Sequence, residues 1–202
     1  MSFTMGVMMQ VPDLATFTQV SENSGKEAAL NAGATDVRIN QVVMGGDRAG
    51  MVGAMFEVPG INAAMEVNAA MYANNDIVNM MRDTGVQVQS RTLMRHAAHK
   101  GTTDGQYSSY LMMSGDQLPD ETANSNLEHG FGLMGSAVNG MRLVQAWAAG
   151  ATPAPFGLVS WTDDLDAFAS ASAATMTDPT TQQNFADSNT VVQGRMVLRR
   201  LV

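Results

Sequence analysis

"GVQVQSRTLMR", from Gly85 to Arg95, and "NTVVQGRMVLR", from Asn189 to Arg199, are nearly the same strand written twice. They share Val88/Val192, Gln89/Gln193, Arg91/Arg195 and Arg95/Arg199. The offset is 195 − 91 = 104, and sliding the whole chain by it aligns further identities without a gap. Met8-Met9 falls on Met112-Met113, Leu14 on Leu118, Arg38 on Arg142, Gln41 on Gln145 and Gly53 on Gly157. From Phe3/Tyr107 to Ala98/Val202, 17 of 96 pairs are identical, against about six expected from ordinary residue usage. The chain reads as one unit repeated.

Each copy reads β-α-β-β-α-β. In the first, "FTMGVMMQ" is an apolar strand, followed by a helix opened at Pro12-Asp13 and stopped near Gly33. "DVRINQVVM" and "AGMVGAMFEV" follow as strands joined by a tight hairpin at Gly45-Gly46-Asp47. A second helix, with Ile61, Met65, Val67 and Met71 near helical spacing, breaks toward Gly85, and the quoted strand closes the unit. The second copy predicts strands at Tyr107–Ser114, Met141–Ala148, Phe156–Trp161 and Val191–Leu201, with helices from about Asp116 and from Asp163. The predicted boundaries are a first half over 1–95, a linker "HAAHKGTTDGQ" over 96–106, and a second half over 107–202.

This order is the split βαβ pattern of ferredoxin-like folds, an α+β class whose antiparallel sheet carries both helices on one face. The other, bare face must be covered. Two copies in one chain can cover each other, sheet against sheet, as an intrachain pseudo-dimer. On element order and repetition, over roughly residues 3–202, the chain resembles the dimeric α/β-barrel superfamily in its fused, single-chain form. That group includes antibiotic-biosynthesis-monooxygenase-like proteins, haem-degrading enzymes and lactone isomerases. The resemblance implies a barrel and a pocket for a small organic molecule; it names no reaction.

Composition narrows the function classes. With 45% apolar and 15% charged residues, the chain can build a packed core. Its net charge is −8, from 19 acidic and 11 basic residues, and its one basic run is the terminal "LRRLV". Binding nucleic acid or an anionic membrane requires several positioned cations, so neither is an expected partner. No run approaches ~18 apolar residues, as a membrane span needs, and the N-terminus lacks a basic leader; a soluble cytoplasmic protein is expected. The absence of cysteine removes disulfides, thiolate metal sites and a thiol nucleophile. Eighteen methionines include the adjacent pairs Met8-Met9 and Met112-Met113. Strand neighbours point to opposite faces, so these sulfurs cannot converge on one ion, and adaptable core filler is the better account.

Three groups are candidate site residues. The first is Gln89/Arg91 with Gln193/Arg195. Simple alternation places the smaller set, including Val88 and Gly194, beneath the helices, and turns the Gln-x-Arg set toward the opposing sheet. There the arginine fork suits an anionic or carbonyl-bearing small molecule; the competing reading is that these residues merely bind the halves together. The second is Gln145, Trp147, Tyr110 and Trp161, on neighbouring strands of the second copy. Members of the resembled family without a cofactor hold polycyclic substrates with aromatic and amide side chains; the competing reading is core filling. The third is histidine: His96 and His99 in the linker, and His129 in a helix. With no third ligand at metal spacing, no metal site is expected; with no histidine in a predicted strand, neither is a haem ligand inside the barrel, so no cofactor is expected.

The first half has Gly6, Val43 and Glu57 where the second has Tyr110, Trp147 and Trp161, so one pocket biased to the second half is expected. No nucleophile elbow, phosphate loop or zincin motif occurs. Two function classes follow: a cofactor-independent, monooxygenase-like or isomerase-like enzyme, or a noncatalytic ligand-binding or assembly protein. Further self-association is left open.

Overall fold

The computed structural model describes residues 1–202 and contains eight strands. They are β1 (Phe3–Gln10), β2 (Asp36–Met44), β3 (Val52–Val58), β4 (Gln87–Gly101), β5 (Tyr107–Ser114), β6 (Gly140–Ala148), β7 (Phe156–Thr162) and β8 (Val191–Arg200). Their hydrogen-bonded order, β1-β3-β2-β8-β5-β7-β6-β4, closes into an antiparallel barrel. Two compact units emerge: Met1–Arg95 with Trp147–Ala149 and Arg200–Val202, and His96–Ala146 with Gly150–Arg199.

In the first unit β1 is central, paired with β3 and β4, and β3 pairs with β2; in the second β5 pairs with β7 and β8, and β7 with β6. The register repeats with the sequence offset: Phe3 opposes Val58 as Tyr107 opposes Thr162. Even the irregularity repeats, between Met8 and Met9 in one unit and between Met112 and Met113 in the other.

The helices of the first unit are α1 (Leu14–Val20), α2 (Lys26–Asn31), α3 (Ile61–Ala73) and α4 (Asn75–Thr84); those of the second are α5 (Asp120–Met134), α6 (Leu165–Thr177) and α7 (Pro179–Asp187). Both long second helices predicted from sequence are broken once. Asn74 caps α4 by accepting from the amides of Asp76 and Ile77, and Asp178 caps α7 by accepting from Thr181, with Pro179 at the first helical position. Between α1 and α2 the chain makes one π-helical turn, Ser21–Gly25. The third helix begins at Asp120, after Pro119, rather than near Asp116.

Alternation sorts each sheet. In the first unit Phe3, Met5, Val7 and Met9 of β1 pack with Val37, Ile39, Ala54, Phe56 and Val58 against Phe17, Ala64, Val67 and Met80 of the helices. The second unit repeats this with Met141, Leu127, Met134 and Phe168. Residues 96–101, predicted as linker, instead continue β4. The strand stops where Gly101 takes φ +74° and Thr102 donates its amide to the Asn139 carbonyl at 2.9 Å. A side chain at Gly101 would stand 2.3 Å from that carbonyl, so only glycine permits the approach.

Candidate functional site

The repeated Gln-x-Arg strand places its side chains differently from simple alternation. Met8 pairs with Ser90 and Met9 with Val88, so Gln89 is the extra residue of a β-bulge; Gln193 is its counterpart, between Val192 and Gly194. A bulge shifts the two-residue period by one. Val88 and Arg91 therefore share a face, and that face lies under the helices. Arg91 donates to the Tyr72 hydroxyl on α3, its guanidinium 5.1 Å from that ring centroid. Arg195 donates from Nη2 to Ser172 Oγ on α6 at 2.8 Å and lies 5.1 Å from the Phe168 ring centroid. The expectation that both arginines face the opposing sheet is thus corrected, and the two glutamines are exposed, with Gln193 donating to Ser114 Oγ at 2.7 Å.

Arg195 lines a cavity of about 120 Å³ between the second unit's sheet and α5, α6 and α7. Leu111, Met113, Leu143, Phe156 and Leu158 form its floor, and Leu127, Met134 and Phe168 much of its roof. Asn184, Ser188 and Asp116 supply polar groups, the Asp116 carboxylate accepting from Asn189 Nδ2 at 2.6 Å. Arg195 has one hydrogen bond and no carboxylate partner. Burial lowers its pKa from the usual guanidinium value, because the cation has given up part of its water.

The aromatic group is not brought together. Trp161 and Tyr110 lie on the face away from the helices, where the Tyr110 ring covers Gly157. Gln145 is buried on the helix side and donates to the Leu118 carbonyl at 3.3 Å. Trp147, 56% exposed, belongs to the first unit, edge-on to Phe3 at 6.5 Å.

His96 and His99 lie in a strand after all, and both reach Arg142, at 3.4 Å each. The Arg142 guanidinium rests 5.3 Å from the Trp161 ring centroid. Its counterpart Arg38 instead forms an ion pair with Glu57, which occupies the place of Trp161, and another with Asp36 at 3.2 Å. These buried arginines sit opposite the helix-side cavities, because Met141 and Leu143 flank Arg142 and point into the cavity. His129, on α5, pairs its Nε2 with Asp178 Oδ2 at 2.8 Å and holds that carboxylate below its usual pKa.

Ser172, Phe168 and Tyr72 were not singled out from sequence. Helical spacing marks Ala64/Phe168 and Asn68/Ser172 as one face, but only the bulge brings the arginines to it.

No family model and no curated protein matches the sequence. Solved structures do match the architecture. A heme-binding protein from Thermus thermophilus superposes with a TM-score of 0.61 at 12% identity, covering 98% of this chain and 90% of that one. A mutant of chlorite dismutase from Candidatus Nitrospira defluvii gives 0.59 at 10%, covering 98% and 90%. A candidate monooxygenase from Lactobacillus acidophilus gives 0.55 at 10%, covering 100% and 94%. The fold is that of the dimeric α/β barrels. At such identities the likeness carries the architecture alone.

Haem, named for one of these structures, does not fit the cavity described above. No His, Cys or Tyr lines it, and these side chains supply most haem ligation. His129 lies outside the lining, its Nε2 held by Asp178. No cluster of three metal-ligating His, Asp or Glu side chains occurs, and no helix is long and apolar enough to cross a membrane.

Proposed function

We propose that this chain is a soluble, cytoplasmic small-molecule-binding α/β barrel whose working cavity lies in the second unit, with Arg195 as its polar anchor. The observation that carries this reading is Arg195 itself: a half-buried cation in an acidic chain, lining a cavity, with one hydrogen bond and no counter-ion. A guanidinium has five N–H donors, and a carboxylate or carbonyl oxygen satisfies two in parallel geometry. The apolar floor takes the rest of the ligand.

The size of the cavity sets the ligand. At about 120 Å³ it falls below the roughly 300 Å³ of a drug-sized pocket and near the volume that holds one benzene ring. A single-ring or short-chain acid fits; a polycyclic substrate does not. Binding is therefore favoured over a monooxygenase-like or isomerase-like reaction. Either reaction needs a group that accepts a proton, and the one carboxylate lining the cavity, Asp116, is already engaged by Asn189.

Native mass spectrometry of the purified chain tests the reading, followed by titration with benzoate. Wild-type protein binds benzoate, and Arg195→Met weakens binding at least about tenfold, the loss expected for a charge-assisted pair. Unchanged affinity in Arg195→Met, accompanied by a lower melting temperature, would make Arg195 a packing residue and end the proposal.

A further inference from the structure

The first unit has its own cavity, of about 80 Å³, between its sheet and its helices. Most of its lining residues are the counterparts of those in the second, but its polar residues differ. Arg91 matches Arg195, whereas Lys26 stands where the second unit has Gly130, Tyr72 where it has Met176, and Asn68 where it has Ser172. Two of the chain's 11 basic residues line this one small space, and none of its 19 acidic residues does. Neither Lys26 nor Arg91 has a carboxylate partner; the interaction of Arg91 is with the Tyr72 hydroxyl and ring.

The backbone just before Lys26 differs as well. Lys26 follows the π-helical turn Ser21–Gly25, whereas the equivalent residues 125–129 continue the regular helix α5. A π turn carries one residue more than an α turn, so the side chains after it are rotated around the axis. Ser21 and Gly25 reach the first cavity, where on α5 the lining falls instead to Asn126 and Leu127; Lys26 and its counterpart Gly130 each line the cavity of their own unit. Such turns recur at functional sites. Here the position after the turn lines the cavity in both units, and the first unit alone places a cation at it.

We propose that this cavity is a second ligand site, taking a short-chain carboxylate. The apolar tail packs among Met5, Val7, Phe17 and Met80, and the carboxylate is held by the Lys26 ammonium and the Arg91 guanidinium. The volume admits a chain of about four carbons, being smaller than a benzene-sized void. The site stands apart from the second-unit cavity and does not depend on how that one is used.

Titration of the isotopically labelled full chain with butyrate, followed by amide chemical shifts, tests it. Saturable shifts are expected at Gly25, Lys26, Tyr72 and Arg91, with an affinity in the millimolar range. Butan-1-ol and butylamine shift these amides at least about tenfold more weakly, and Lys26→Gln weakens butyrate by a similar factor. Arg195→Met leaves the first-unit shifts unchanged. Equal binding of butyrate and butan-1-ol would reduce the site to an apolar void and overturn the proposal. So would unchanged butyrate affinity in both Lys26→Gln and Arg91→Gln, or an absence of saturable shifts. Shifts confined to second-unit amides and abolished by Arg195→Met would overturn it too, while supporting the second-unit reading.

Discussion

Phe168→Ala is the most informative single perturbation of the second unit. Phe168 is buried in the cluster with Leu127, Met134 and Met141, lines the cavity, and carries the Arg195 guanidinium above its ring. Truncating a buried phenylalanine costs about 3–5 kcal/mol, part for lost transfer of apolar surface and part for the void left behind. Here the void joins one that already exists, so the neighbours have little to collapse onto and the upper half of that range applies. For a chain of this size each kcal/mol lowers the melting temperature by about 2–4 °C, giving a fall of roughly 12 °C at about 4 kcal/mol. Thermal unfolding followed by circular dichroism measures it. The same substitution enlarges the cavity beneath Arg195, so benzoate should raise the variant's melting temperature; at one hundred times its dissociation constant a ligand stabilises by about 2.7 kcal/mol. Phe168→Ala/Arg195→Met should lose that rescue while keeping the low melting temperature. A fall of less than about 3 °C would show that the ring is not packed as described, and rescue persisting in the double variant would refute Arg195 as the anchor.

Two further predictions concern packing and protonation. A Cβ on Gly157 would stand 2.0 Å from Tyr110 Cε2, so Gly157→Ala should destabilise by about 1–3 kcal/mol through overpacking, and should cost far less in a Tyr110→Ala background, as a double-mutant cycle in urea unfolding measures. Gly53→Ala, its first-unit counterpart, meets only the flexible Met8 and Met55 side chains at 3.0–3.1 Å, and should cost less. Asp178, whose pKa is lowered chiefly by its hydrogen bond to His129 and then by the Thr181 amide, contributes stability that is present above the ordinary carboxylate pKa and disappears as pH falls through its lowered folded value. Asp178→Asn should therefore melt below wild type at neutral pH, with the difference closing in strong acid; a difference constant from neutral to strongly acidic pH would remove Asp178 from the account.

Much of the architecture was legible in the chain itself. The 104-residue offset, the apolar strands and the Gly85 helix stop require only local chemistry, since period and turn residues act within a few positions. Helix breaks at Asn74 and at Asp178-Pro179 were also written locally, as caps, inside runs whose apolar spacing suggests one long helix. The continuation of β4 through His96–Gly101 was not, because polar Gly-bearing sequence reads as loop until a neighbouring strand accepts its hydrogen bonds.

The candidate site divides along the same line. Sequence alone determined that Arg91 and Arg195 occupy equivalent positions and that the halves differ at Tyr110, Trp147 and Trp161, and its acidic balance made nucleic acid an unexpected partner. Only the tertiary structure decided which way the arginines point. One bulged glutamine in each strand shifts the two-residue period and turns both guanidiniums from the opposing sheet to the helices. A bulge is a mismatch between two paired strands, so no single strand can announce it. The same holds for Lys26: its charge is in the sequence, but that it lines a cavity beside Arg91 is decided only by the packing of helix on sheet.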